Sequence, residues 1–223
     1  MQSGEYWIGF GDIHDDISRI HAIPGIRQAA GVILSGDLTV GGSVKQAERV
    51  LRAVAEVNQT VYAQIGNMDR AEVTTYLEEN GWNIHIRSRE IAPGVGLMGV
   101  GTSTFTPFGT PSEFPDSRIA EWLEQAYRDA RHFRRLILIS HTPPFNTECD
   151  RISSGVHVGS RAVREFIEEH QPDICLCGHI HESRATGKLG RTTLINTGTL
   201  SAGGYAVIRN MAEGLQAELH MLA

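Results

Sequence analysis

The 223-residue chain reads as an α/β fold built on mixed β-sheets. Three observations carry that reading. Short apolar runs alternate with longer amphipathic ones through the first half. Each apolar run is bounded by Gly, Asp, Asn or a similar turn residue. From Lys188 onward the pattern is strands and tight turns with no long helix. Strand–helix alternation argues for parallel βαβ units and a run of hairpins for antiparallel pairing, so together they predict mixed sheets.

The strand candidates are Tyr6–Phe10, residues 32–34, residues 61–65, Val95–Val100, residues 136–139 and Ile174–Cys177. Three helices are expected between them. Residues 43–58 carry Val44, Ala47, Val50, Leu51, Val54 and Val57 on one face, and Ser43 with Gln46 makes a capping-box signature at the start. Residues 117–133 place Ile119, Trp122, Leu123, Ala126, Tyr127 and Ala130 at helical spacing. Residues 160–170 do the same with Val163, Phe166 and Ile167. Two irregular stretches remain, 102–116 and 142–159, and long structureless loops in a domain are often functional. No linker or repeat divides the chain, so residues 1–223 read as a single domain.

Bulk properties narrow the function classes. A hydrophobic content of 41% supports a real core, and a net charge of −6 is a poor match to bulk binding of nucleic acid or an anionic membrane. A small nucleotide-like phosphoester remains compatible with that charge if a local positive centre holds it. Residues 1–5 lack the basic and apolar regions of a signal peptide, and no apolar run reaches the length of a membrane span, so cytoplasmic residence is the expectation. Cys149, Cys175 and Cys177 are too few and too odd in number for a disulfide framework, and Cys175 and Cys177, alternating along a strand, read as small core residues.

The chemistry sits at the strand ends. The first strand runs into Gly11-Asp12-Ile13-His14, the second into Gly36-Asp37, and the third into Gly66-Asn67-Met68-Asp69. Later strands run into His141 and into Gly178-His179-Ile180-His181. Taken singly these are weak, since Asp-x-His is commonly a surface pair and Gly-Asp commonly a turn. Five strand ends that each deliver a carboxylate, amide or imidazole are another matter, because ligands bind at the C-terminal edge of open α/β sheets. Imidazole nitrogens mixed with carboxylate and amide oxygens suit manganese, iron, zinc or cobalt better than calcium or magnesium. Asp12, His14, Asp37, Asn67, His141, His179 and His181 are too many ligands for one structural zinc, and suit two ions roughly 3.5–4 Å apart. The glycines before them read as points where the backbone turns sharply.

This series resembles the calcineurin-like metallophosphoesterases, from Asp12 to His181. The resemblance implies a four-layer αββα sandwich, two mixed sheets face to face with helices outside. It implies that Asp12, His14, Asp37 and His181 hold one ion, that Asp37, Asn67, His141 and His179 hold the other, and that Asp37 bridges. Two divalent transition ions are expected, manganese first, with iron, zinc, cobalt or nickel as alternatives. The implied activity is phosphodiester hydrolysis by metal-bound hydroxide, with Asp37 and Asn67 at the reacting centre. Phosphomonoester hydrolysis is the alternative, as is a non-catalytic metal-binding scaffold such as a retromer subunit of similar fold. One departure is Met68, where the family usually has a His assigned to the leaving group, since a thioether is only a weak acceptor. His157, in the loop after His141, is the candidate replacement acid. Arg70, Arg151 and Arg184 read as surface residues, as do His21, His85, His132, His170 and His220. Asn196-Thr197-Gly198 reads as a turn without a chemical role.

Overall fold

Trp7 and Ile8 point to opposite faces of the first strand, and both are fully buried, so that strand is covered on both sides. The same pattern recurs along the chain in the computed structural model, which describes residues 4–223. Its elements are β1 (Tyr6–Phe10), β2 (Gly31–Leu34), α1 (Val44–Val57), β3 (Val61–Ala63), α2 (Glu72–Glu79), β4 (Arg87–Ala92), β5 (Val95–Val100), α3 (Asp116–Ala130), β6 (Arg135–Ser140), α4 (Arg161–His170), β7 (Ile174–Cys177), β8 (Ala185–Leu189), β9 (Thr192–Asn196), β10 (Gly204–Met211) and β11 (Gly214–Met221).

The strands form two sheets, ordered β11-β10-β1-β2-β3 and β4-β5-β6-β7-β9-β8. Both are mixed. β1, β2 and β3 run parallel, as do β5, β6, β7 and β9, while β10, β11, β4 and β8 pair antiparallel. Three apolar clusters define four layers. Ile8, Phe10, Val32 and Leu34 pack on Val50, Leu51 and Val54 of α1 and Leu77 of α2. Trp7, Ile33 and Ile208 meet Leu97, Ile137, Ile139 and Leu176 between the sheets. Met98, Leu138 and Cys175 pack on Leu123 of α3 and Phe166 of α4. This is the αββα sandwich, and Leu51, wholly buried in it, would cost about 2–5 kcal/mol if truncated to alanine. The sheets come into close contact at Gly9, where a Cβ would sit 2.6 Å from Leu176 Cδ2. That contact ties β1 to β7 just behind their C-terminal ends.

The three expected helices form within a few residues of their expected ends, and Ser43 and Gln46 make the capping box. Two elements carry little sequence signal. Helix α2 buries only Val73 and Leu77, and β4 is a polar edge strand that buries only Ala92. All three cysteines are buried, as expected. His85 is a correction. It is 8% exposed, because its ring edges onto Trp122 and its Nδ1 accepts the Gly101 N–H at 2.9 Å. Among the described residues, no helix is long and apolar enough to cross a membrane.

Candidate metal centre

The parallel strands of each sheet end on one edge, and the residues singled out by the motifs converge there. Asp12 and Asp37 lie at 0% and 2% exposure. Asp12 Oδ1 is 3.0 Å from His181 Nε2 and 3.8 Å from His14 Nε2. The two imidazole Nε2 atoms stand 3.1 Å apart, and Asp37 Oδ2 is 3.8 Å from His14 Nε2. One donor atom from each of Asp12, His14, Asp37 and His181 falls within 4.8 Å of the others.

The other carboxylate oxygen of Asp37 faces a second group. Asp37 Oδ1 is 3.4 Å from His141 Nε2, which is 2.9 Å from Asn67 Oδ1. The rings of His141 and His179 have centroids 5.2 Å apart. The far nitrogen of His141 fixes the tautomer of the neutral ring. Nδ1 lies 3.1 Å from the Ser35 carbonyl, which can only accept, so Nδ1 carries the proton and Nε2 turns its lone pair to the centre.

The local backbone is unusual. Asp12, His14, Asp37 and His179 adopt positive φ of 47°, 49°, 50° and 65°, a region that costs of order 1–3 kcal/mol for a non-glycine residue. The glycines were expected to provide the turns. Of Gly11, Gly36, Gly66 and Gly178 only Gly36 has positive φ, at 118°. The others serve close approach, since a Cβ at Gly66 would lie 2.0 Å from Asp37 Oδ1 and one at Gly178 2.1 Å from Asp12 Oδ2. Backbone amides then hold the carboxylates. Met68 N donates to Asp37 Oδ1 at 2.8 Å, and His179 N donates to Asp12.

Electrostatics show what the centre favours. Among the described residues, the only ion-pair partners of Asp12 and Asp37 are histidines. Two buried carboxylates among ring nitrogens and amide oxygens form a set of acceptors in need of a cation. Burial opposes an imidazolium at His141, yet Asp37 outweighs it and holds the pKa at about 9. The donor set of Asp12, His14, Asp37 and His181 therefore fits a divalent metal ion.

Two residues without a role in the motif reading support the centre. Asp69 is buried and accepts from the N–H groups of Leu38, Thr39 and Gly66, clamping the Asp37 turn to the Asn67 turn. Asn196 Nδ2 donates to the carbonyls of Cys149, Gly178 and Ile180, pinning the segment that carries His179 and His181. Asn196 thus has a structural role that the reading of its turn did not include. Its position at the end of β9, on the same edge as the other motifs, was the available signal. His157 lies in the loop after β6, with Nδ1 2.6 Å from Oδ1 of the buried Asp150. Arg70, Arg151 and Arg184 are exposed.

Comparison with known proteins gives the family and the fold. The calcineurin-like phosphoesterase family matches residues 8–183. The Methanocaldococcus jannaschii protein MJ1162 is 31% identical over 214 residues, 92% of this chain and 93% of that one. The crystal structure of TT1561 of Thermus thermophilus superposes with TM-score 0.73 at 16% identity, over 99% of this chain and 100% of that one. A dimetal phosphatase from Danio rerio superposes with TM-score 0.64 at 11% identity over the whole of both chains. Because the family match spans every strand end from Asp12 to His181 and the archaeal relative aligns over nearly the full length, this chain belongs to the calcineurin-like phosphoesterases.

Proposed function

We propose that this protein is a binuclear metal-dependent phosphodiesterase. One observation carries the reading. Asp37 directs Oδ2 to the group containing Asp12, His14 and His181, and Oδ1 to the group containing His141 and Asn67. A carboxylate split in this way suits a bridge between two ions, each completed by the residues on its own side, with His179 on the side of His141. Manganese is the first candidate, with iron, zinc, cobalt or nickel as alternatives, since carboxylate and amide oxygens suit the former and imidazole nitrogens suit the others. When bound, the ions would activate water and neutralise charge on the phosphoryl oxygens.

The chain's own residues set the rest. His141 and Asn67, side by side at 2.9 Å, would hold the ion on their side of Asp37. Met68 cannot protonate a leaving group. His157 would take that task, its Nδ1 held by the Asp150 carboxylate and its Nε2 not used in that bond. Among the described residues no arginine or lysine forms an ion pair with Asp12 or Asp37, and a centre without such a fork would suit a singly charged diester better than a doubly charged monoester. Phe105 and Phe108, 70% and 85% exposed in the loop after β5, offer aromatic faces for a nucleotide-like organic group.

The test is hydrolysis of bis(p-nitrophenyl) phosphate and of p-nitrophenyl phosphate by Mn²⁺-loaded protein, beside Asp37→Asn and a chelated sample. Diester hydrolysis lost in both controls is the expected result. Preferred cleavage of the monoester would reassign the substrate class. Two bound ions without hydrolysis of either ester would favour the scaffold reading.

A further inference from the structure

The loop between β5 and α3 touches the side chain of Asn67 through Thr110. Asn67 Nδ2 donates to Thr110 Oγ1 at 2.8 Å, and Thr110 Oγ1 donates to Glu113 Oε1 at 2.6 Å. The direction of the second bond dictates the first. A threonine hydroxyl has one proton, and an ionised carboxylate can only accept, so that proton points at Glu113. Only lone pairs are left for Asn67. The amide must then present its NH₂ to Thr110 and turn Oδ1 to His141 Nε2, 2.9 Å away.

Glu113 is built to stay ionised. Burial opposes its charge, but the hydroxyls and backbone N–H groups of Thr106 and Thr110 all donate to it and hold its pKa at about 2. The loop is otherwise anchored without Thr110. Ser112 N donates to the Asn67 carbonyl at 3.0 Å, Ser112 Oγ to the Asp69 carbonyl at 2.6 Å, and Phe114 N to the Ser103 carbonyl at 2.9 Å. The Thr110 hydroxyl thus links Asn67 to Glu113 without being needed to anchor the loop.

We propose that Thr110 and Glu113 are positioning residues that set the polarity of the Asn67 amide, so that its oxygen faces the metal centre. This rests on the binuclear reading, in which Asn67 serves the ion on the His141 side. Without the relay, the amide can turn over and offer a positively polarised NH₂ to a cation. Outer-shell partners of this kind typically change metal affinity by ~10–100-fold.

The experiment is calorimetric titration of chelator-stripped protein with Mn²⁺ alone, for wild type, Thr110→Val, Thr110→Ser and Glu113→Ala, each checked by thermal unfolding. Wild type should bind two ions. Thr110→Val keeps the side chain's shape but removes the hydroxyl. It should weaken one ion by ~10–100-fold and leave the other, on the Asp12, His14 and His181 side, unchanged. Thr110→Ser should restore wild-type affinity, which a loss of packing alone would not produce. Glu113→Ala should weaken the same ion, since the Thr110 proton is then released to face Asn67. Two ions bound by both Thr110→Val and Glu113→Ala with wild-type affinity would refute the relay and leave the binuclear reading standing. A wild type that binds a single ion would overturn both.

Discussion

Stripping the metal from this protein should make its stability depend on pH through His141. The ring is fully buried. Burial opposes the imidazolium, but Asp37, with Asp12 and Asp69 behind it, holds the folded-state pKa at about 9 against an ordinary 6.5. A folded pKa above the unfolded one means that the native state keeps a proton that the unfolded chain gives up. The stabilisation is then fully present below about pH 6.5 and is lost as pH rises through about 9. At ~1.36 kcal/mol per pKa unit the loss comes to about 3 kcal/mol. His181, raised by its hydrogen bond to Asp12, adds in the same direction.

A divalent ion competes for the nitrogen that holds this proton, so loading at neutral pH should expel it. The assay is urea unfolding across this pH range, with chelator and with saturating Mn²⁺. Calorimetry in buffers of different ionisation enthalpy counts the protons released. Chelated wild type should lose stability steadily as pH rises through the window. His141→Gln should retain only the smaller slope from His181. Metal should stabilise most at the alkaline end, where no proton competes. Chelated stability that stays flat or rises with pH would refute the reasoning, as would metal uptake without proton release.

Three further outcomes are expected. His157→Ala should slow cleavage of alkyl diesters by ~10²–10⁴-fold, the usual worth of a general acid, and barely affect nitrophenyl diesters, whose leaving groups need no proton; equal effects on both in steady-state assays would remove His157 from the chemistry. Asn196→Ala frees the carbonyls of Gly178 and Ile180 and should weaken Mn²⁺ by ~10–100-fold in the same titrations; unchanged affinity would reduce Asn196 to a loop contact. His85, whose burial, helped by Arg87, lowers its pKa to about 4, binds a proton in the unfolded chain before it does in the fold. Wild type should therefore lose up to about 3 kcal/mol relative to His85→Gln as pH falls from 6.5 to 4. Parallel acid unfolding curves for the two proteins would contradict that.

Most of the strand and helix pattern and the motif residues were legible in the chain, for two physical reasons, while the four-layer arrangement was implied by the family resemblance. Buried strands leave continuous apolar runs, and the helices over them leave period-3.6 faces, so β5 and β7 could be bounded from sequence as they stand in the structure. The residues at the strand ends announce themselves because Asp, Asn and His have no reason to follow apolar strands repeatedly unless they share a task. Edge elements were less legible. The residues of β4 and α2 bury little, so their patterns resemble polar loop. His85 looked like a surface histidine because nothing near it in sequence reveals Trp122, which packs on it from α3.

The chain alone thus determined the fold class, the donor types and the order in which strands deliver them, because those follow from local periodicity and residue chemistry. Tertiary structure decided the rest, because it depends on contacts between segments far apart in sequence. Asp37 divides its oxygens between two groups that come from five strands. The left-handed backbone falls on Asp12, His14, Asp37 and His179, while most of the glycines beside them serve close packing. Asn196 ties the last parallel strand to the His179 segment, and Thr110 and Glu113 reach back across a loop to Asn67. No spacing along the chain encodes those hydrogen bonds; they exist only where folding brings their donors and acceptors within about 3 Å of each other.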